Sequence, residues 1–145
     1  METWLILQVV FLSIQALSAT KNSVGCDYKI SEHGKLHANC LTDDFNGTLS
    51  ALNSSTTHLF IIFKDASVFV DGRSIYISPD FSHLKNLEAL VLDHDGIHSY
   101  MRIHLGRSSF PEPCQLRIIK SQLLLNITPD AFADMRSLQI LTLSN

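Results

Sequence analysis

The stretch Leu84 to Ile97, LKNLEALVLDHDGI, constrains this chain more than any other, because its apolar residues stand at Leu84, Leu87, Leu90, Leu92 and Ile97. Neither the 3.6-residue period of a helix nor the two-residue period of a strand produces that order by itself. A short strand centred on Leu90 and Leu92 sends both side chains to one side. The chain then turns, and a polar turn residue, Asp95, is placed to hydrogen-bond buried backbone before Ile97 closes the unit.

One such unit cannot bury its own apolar face, so the spacing carries weight only if it recurs. In Cys114 to Leu123, CQLRIIKSQL, the strand positions fall to Leu116 and Ile118, the polar turn position to Ser121 and the last apolar place to Leu123. In Leu138 to Asn145, LQILTLSN, the matching residues are Leu138, Leu141 and Leu143. Leu90, Leu116 and Leu141 are separated by 26 and 25 residues, inside the roughly 20 to 29 of a leucine-rich repeat. The expected fold is therefore an α/β solenoid, a leucine-rich repeat horseshoe segment with a parallel concave sheet. On that expectation the neighbours of the inward residues face the concave surface. They are Ala89, Val91 and Asp93, then Gln115, Arg117 and Ile119, then Ile140, Thr142 and Ser144, and they are the candidate ligand-facing positions. The plain alternative is that they are solvent-tolerant strand positions.

At the start of the chain, Trp4 to Leu17 is an uncharged, mostly apolar run with a small-x-small site at Ala16 and Ser18. It reads as a secretory signal peptide over residues 1–18, with a signal anchor as the alternative because Glu2 stands where Lys or Arg is usual. No other membrane segment is evident. Secretion changes how the three cysteines read, since thiols in that pathway oxidise and pair. Cys26 and Cys40 are expected to staple an N-terminal cap over residues 19–57 that covers the open end of the first repeat. A metal site formed with His33 and His37 is the alternative. Cys114 is left over, either as a buried free thiol or as half of a disulfide with a partner outside these residues. Three sequons, beginning at Asn46, Asn53 and Asn126, are candidate glycosylation sites.

Residues 58–145 are expected to hold three to four repeats, the last cut mid-turn, so the chain reads as part of a longer protein. HLFIIFK supplies the first repeat strand, with either Leu59 and Ile61 or Ile61 and Phe63 inward. The phrases SPDF and TPDAF recur before two of the leucine runs, and Phe81 and Phe132 should pack beneath the strand leucines. Four histidines, His83, His94, His98 and His104, lie in or beside one repeat, a potential response to acidification. With 46% hydrophobic and 17% charged residues and a formal net charge of -3, the composition is that of a soluble globular protein with no basic bias towards nucleic acid.

Taken together, the signal peptide, the cysteine-bracketed cap, LNSSTTHLFIIF and the phrases ISPDFSHLKNLEALVL and ITPDAFADMRSLQILTLSN resemble the N-terminal part of a Toll-like receptor ectodomain. The resemblance implies a pattern-recognition receptor of innate immunity. Such a receptor binds microbial or viral products, dimerises through its ectodomain, and signals through membrane and cytoplasmic parts not present here. It places this chain on the extracellular or endosomal-lumenal side of a membrane. No cofactor, metal or catalytic residue is expected, as no H-E-x-x-H, G-x-S-x-G or Gly-rich phosphate loop occurs. The rival reading is a secreted leucine-rich repeat matrix or adhesion protein that binds other proteins.

Overall fold

A computed structural model describes residues 25–64, 75–95 and 101–144. The signal-peptide run, Ile97 and His98 lie outside them. The elements in order are β1 (Cys26–Ile30), β2 (Leu36–Thr42), α1 (Phe45–Ala51), β3 (Thr56–Lys64), β4 (Ile75–Ile77), β5 (Ala89–Asp95), β6 (Met101–Leu105), a 3-10 turn at Arg107–Ser109, β7 (Ile118–Ser121), β8 (Leu124–Ile127) and β9 (Ile140–Leu143). After β2, successive strands alternate between two sheets. One has six strands in the order β1-β2-β3-β5-β7-β9, and the other has three in the order β4-β6-β8.

The first strand pair is antiparallel, and its turn uses Gly34 at φ 73°, a left-handed conformation that glycine adopts without steric cost. Gly34 N–H donates to the Ser31 carbonyl at 2.9 Å, closing the turn. Asp44 starts α1 by accepting from Gly47 N–H at 3.0 Å, the usual role of an N-cap carboxylate. A Cβ at Gly47 would land on that carboxylate and displace the cap.

The α/β leucine-rich repeat horseshoe is corrected by this architecture. The six-stranded sheet is mixed, because β1 runs antiparallel to β2 while the other neighbours run parallel. Among the described residues there is a single α-helix, of seven residues, and it precedes β3. Among the described residues, the segments opposite the leucine strands form no α-helix. Each contributes a short strand to a second parallel sheet, since Ile77, Ile103 with Leu105, and Leu125 with Ile127 alternate at the two-residue period. Pro79-Asp80 and Pro129-Asp130 lead into successive turns, with Leu84 N–H donating to Phe81 O and Met135 N–H to Phe132 O at 2.9 and 3.1 Å.

A register correction follows in the third unit. Arg117 and Ile118 both donate their N–H to the Glu88 carbonyl, at 2.8 and 3.2 Å, so β7 begins at Ile118, paired with Ala89. Ile119 therefore lies beside Leu90 and Ser121 beside Leu92, and Ile119 is fully buried. The inward positions Leu90, Ile119 and Leu141 are 29 and 22 residues apart. Leu116, expected on the strand, is buried in the approach to it.

Both sheets feed one core. Leu59, Ile61, Phe63, Leu90, Leu92 and Ile119 enter it from the six-stranded sheet, and Ile103 and Leu105 from the other. Ala38 and Cys40 from the cysteine-bracketed segment, Phe45 and Leu49 from α1, and Leu52 just after it belong to the same cluster. Through it runs a file of aromatic rings: Phe45 on Phe81 (6.3 Å, edge-on), Phe81 on Phe110 (5.8 Å) and Phe110 on Phe132 (6.2 Å), with Phe63 stacked on Phe45 at 4.7 Å. Aromatic pairs at these separations add to the gain from burial. Phe81→Ala should therefore destabilise the fold by about 3 to 5 kcal/mol, whereas Tyr76→Ala, at an exposed position, should change it by less than about 0.5 kcal/mol. Urea denaturation of both variants checks this, and a Phe81→Ala loss no larger than that of Tyr76→Ala would contradict it.

Candidate functional site

The parity that sends Leu59, Leu90 and Ile119 into the core sends their neighbours out through the opposite face of the six-stranded sheet. Register places them in rows across the strands. One row is His37, His58, Ala89, Ile118 and Ile140, and the next is Asn39, Phe60, Val91, Lys120 and Thr142. Leu41, Ile62 and Asp93 begin a third. No described element covers this face: Leu41 and Ile140 are exposed, while Phe60, Ile62, Val91 and Ile118 are half-buried by one another. The result is an apolar band on an open sheet.

A polar border runs along the N-terminal ends of these strands. Thr57 hydroxyl donates to Leu36 O, and Glu88, Arg117 and Gln139 each donate their N–H to a carbonyl of the preceding unit. Lys35 pairs with Glu88, and that hydrogen bond holds the Glu88 carboxyl below its ordinary range. Arg117 Nη2 donates to Gln139 Oε1 at 3.3 Å. Next to this border the rings of His37 and His58 stack at 4.2 Å, nearly parallel. They form one wall of a recess of about 110 Å³ lined also by Asn39, Phe60, Ala89 and Val91. Small Ala89 sits between larger neighbours and leaves the notch.

Of the candidate positions read from the sequence, Ala89, Val91 and Asp93 lie on this face, as do Ile140 and Thr142. Ala89 is largely covered. Arg117 sits in the border, Gln115 is exposed before β7, and Ser144 follows β9, its N–H donating to Ser121 O at 2.9 Å. Ile119 points into the core and is withdrawn as a ligand-facing residue. Its outward neighbours Ile118 and Lys120 take its place. From the sequence, His37 is named only for the alternative metal site, and His58, Phe60 and Ile62 are not among the site residues. The alternation in THLFIIFK carried the signal for the last three, once Leu59, Ile61 and Phe63 are known to be the inward set.

Cys26 and Cys40 are directly paired across β1 and β2 and form a disulfide. Both thiols are thereby lost to the alternative metal site, and no group of three or more metal-binding side chains occurs among the described residues. Cys114 is free and half-buried, and burial raises its thiol above the ordinary value, which makes it a poor nucleophile. Asn46, Asn53 and Asn126 are all exposed. His83 lies in a turn after β4, His94 on the inward side of β5 and His104 on β6, and the stacked pair is a different one. No helix among the described residues is long and apolar enough to cross a membrane.

Comparison with protein-family models, with curated proteins and with solved structures finds no match.

Burial lowers the pKa of His58, and so do His37 and Lys35, against an opposing pull from Glu88. A histidine depressed in the folded state takes up fewer protons than in the unfolded chain between its folded value and about 6.5. Stability from this group is thus fully present above about 6.5 and is lost as pH falls through the folded value. The melting temperature should drop between pH 7.5 and 5.5, and His58→Phe, which retains a stacking ring, should drop less. Equal drops in the two proteins would contradict this reading of the pair.

Proposed function

We propose that this chain is an extracellular recognition module, part of a pattern-recognition receptor of the Toll-like kind, that binds a microbial or viral product on the open face of its six-stranded sheet. The observation that carries the proposal is the apolar band of Leu41, Phe60, Ile62, Val91, Ile118 and Ile140, which no described element covers and which is bordered by Lys35, Glu88 and Arg117. An apolar centre with a charged rim is the composition of a protein or ligand interface, and an uncovered band of this kind is costly on a soluble protein without a partner. The disulfide suits an oxidising compartment. The resemblance of ISPDFSHLKNLEALVL and ITPDAFADMRSLQILTLSN to Toll-like receptor ectodomains supplies the ligand class. Dimerisation and signalling belong, on this reading, to the complete receptor.

Phe60 lies near the centre of the band, where binding energy concentrates, so Phe60→Asp should weaken binding at least about tenfold. Its half-exposed side chain allows the change without opening the core. The secreted protein would be titrated against a bacterial lipopeptide, lipopolysaccharide and double-stranded RNA by surface plasmon resonance. The proposal expects one of them to bind and Phe60→Asp to lose that binding while keeping the wild-type circular dichroism. Binding unaffected by Phe60→Asp, or no binding by any of the three, would overturn it.

A further inference from the structure

A second concavity lies away from the open sheet face. α1 and the segment after β4 enclose a cleft of about 330 Å³, lined by Asn46, Leu49 and Ser50 on one side and Ser78, Asp80 and His83 on the other. That volume falls near the lower end of small-ligand pockets, roughly 300 to 1,000 Å³. The lining offers hydroxyl, amide, carboxylate and imidazole groups over Leu49. Asp80 Oδ1 accepts from Ser82 N–H at 2.8 Å, and bonding to Ser82 keeps the carboxyl ionised and able to accept further hydrogen bonds. His83 Nε2 is buried with no partner among the described residues. Donors and acceptors gathered around one apolar residue suit a polyhydroxylated ring with an amide substituent. Asn46, the acceptor of the first sequon, is itself part of the wall.

We propose that this cleft seats the first N-acetylglucosamine of a glycan on Asn46, so that the sugar braces α1 and the disulfide-stapled segment against the chain following β4. The inference rests on the extracellular reading above. Attachment at the rim gives the sugar a high effective concentration in the cleft, so few hydrogen bonds suffice to hold it there. The ring hydroxyls donate to Asp80, and its less polar face lies over Leu49. Neither of the other sequons lines this cleft: Asn53 Oδ1 accepts from Ser55 N–H at 2.9 Å in a turn, and Asn126 lies on β8.

The fold also sets when the sugar is added. Thr48, the third residue of the sequon, is 2% exposed, and its hydroxyl lies 2.8 Å from Thr42 Oγ1 and 2.7 Å from the Asp44 carbonyl oxygen. Once α1 has formed, the sequon cannot be read, so transfer takes place on the unfolded segment. The bond formed joins Asn46 Nδ2 to C1 of the sugar. The bond broken joins C1 to the phosphate oxygen of a lipid-linked oligosaccharide pyrophosphate, which leaves as the pyrophosphate while the amide gives up a proton.

The test uses the whole chain, secreted from eukaryotic cells with Asn53 and Asn126 changed to Gln, and trimmed by endoglycosidase to one sugar on Asn46. Its melting temperature should exceed that of the further variant Asn46→Gln by several degrees, and Asp80→Asn should remove most of the difference. Nuclear Overhauser effects from the sugar ring to the Leu49 methyls and the His83 ring should be present, and they decide the matter if Asn46→Gln is not secreted. Equal melting temperatures together with no such effects would overturn the proposal. So would an unmodified Asn46 in wild-type protein that carries sugar at Asn53 or Asn126. Wild-type protein without sugar at any of the three would overturn the extracellular reading along with it.

Discussion

The aromatic file Phe45, Phe81, Phe110 and Phe132 is the contact on which the rest of this molecule depends. Each ring comes from a different segment between strands of the large sheet, and each is held by its neighbour from the next segment. Backbone pairing joins strands within a sheet, whereas the layer between the two sheets is filled by side chains. Strands of three to nine residues gain little from pairing alone, so the sheets persist because the layer between them is apolar and filled. At one end of the file, Phe45 also stacks on Phe63 and ties the disulfide-stapled segment into the same core. The disulfide then restrains the edge hairpin without having to supply its cohesion.

A core that fills one side of the large sheet leaves the other side without cover from any described element. Every second residue of β2, β3, β5, β7 and β9 is released from packing, and there the chain has placed Phe60, Ile62, Val91 and Ile118 among His37, His58, Lys120 and Asp93. Packing within the molecule does not require these residues to be apolar. On the function proposed above they meet a ligand, and that would link the regularity of the fold to recognition.

Several of these features were legible in the sequence. Leu84, Leu87, Leu90 and Leu92 are all fully buried, Phe81 and Phe132 reach the core, and Cys26 pairs with Cys40. These follow from spacing and redox context, which are local. The fold class was not legible, because the outer segments were read through their Pro-Asp turns while Ile77, Ile103, Leu105, Leu125 and Ile127 form short strands too brief to declare themselves by periodicity. Ile119 was misplaced because matching Leu116 to Leu90 ignores the shared Glu88 acceptor that delays the start of β7. The shift from Leu116 to Ile119 is an odd number of residues, and an odd slip exchanges the two faces of a strand. The His37–His58 stack depends on the offset between β2 and β3, which pairs residues 21 apart, and neither stretch alone encodes it.

The most direct measurement of the inward and outward assignment is the rate of thiol labelling at single cysteines introduced along β7, in a Cys114→Ala background under native conditions. The account predicts that Ile118→Cys and Lys120→Cys react at rates approaching those of an unfolded peptide, and that Ile119→Cys reacts only as the protein opens. Fast labelling of Ile119→Cys beside a protected Ile118→Cys would restore the register of Leu116 and Ile118 and contradict the open face described here.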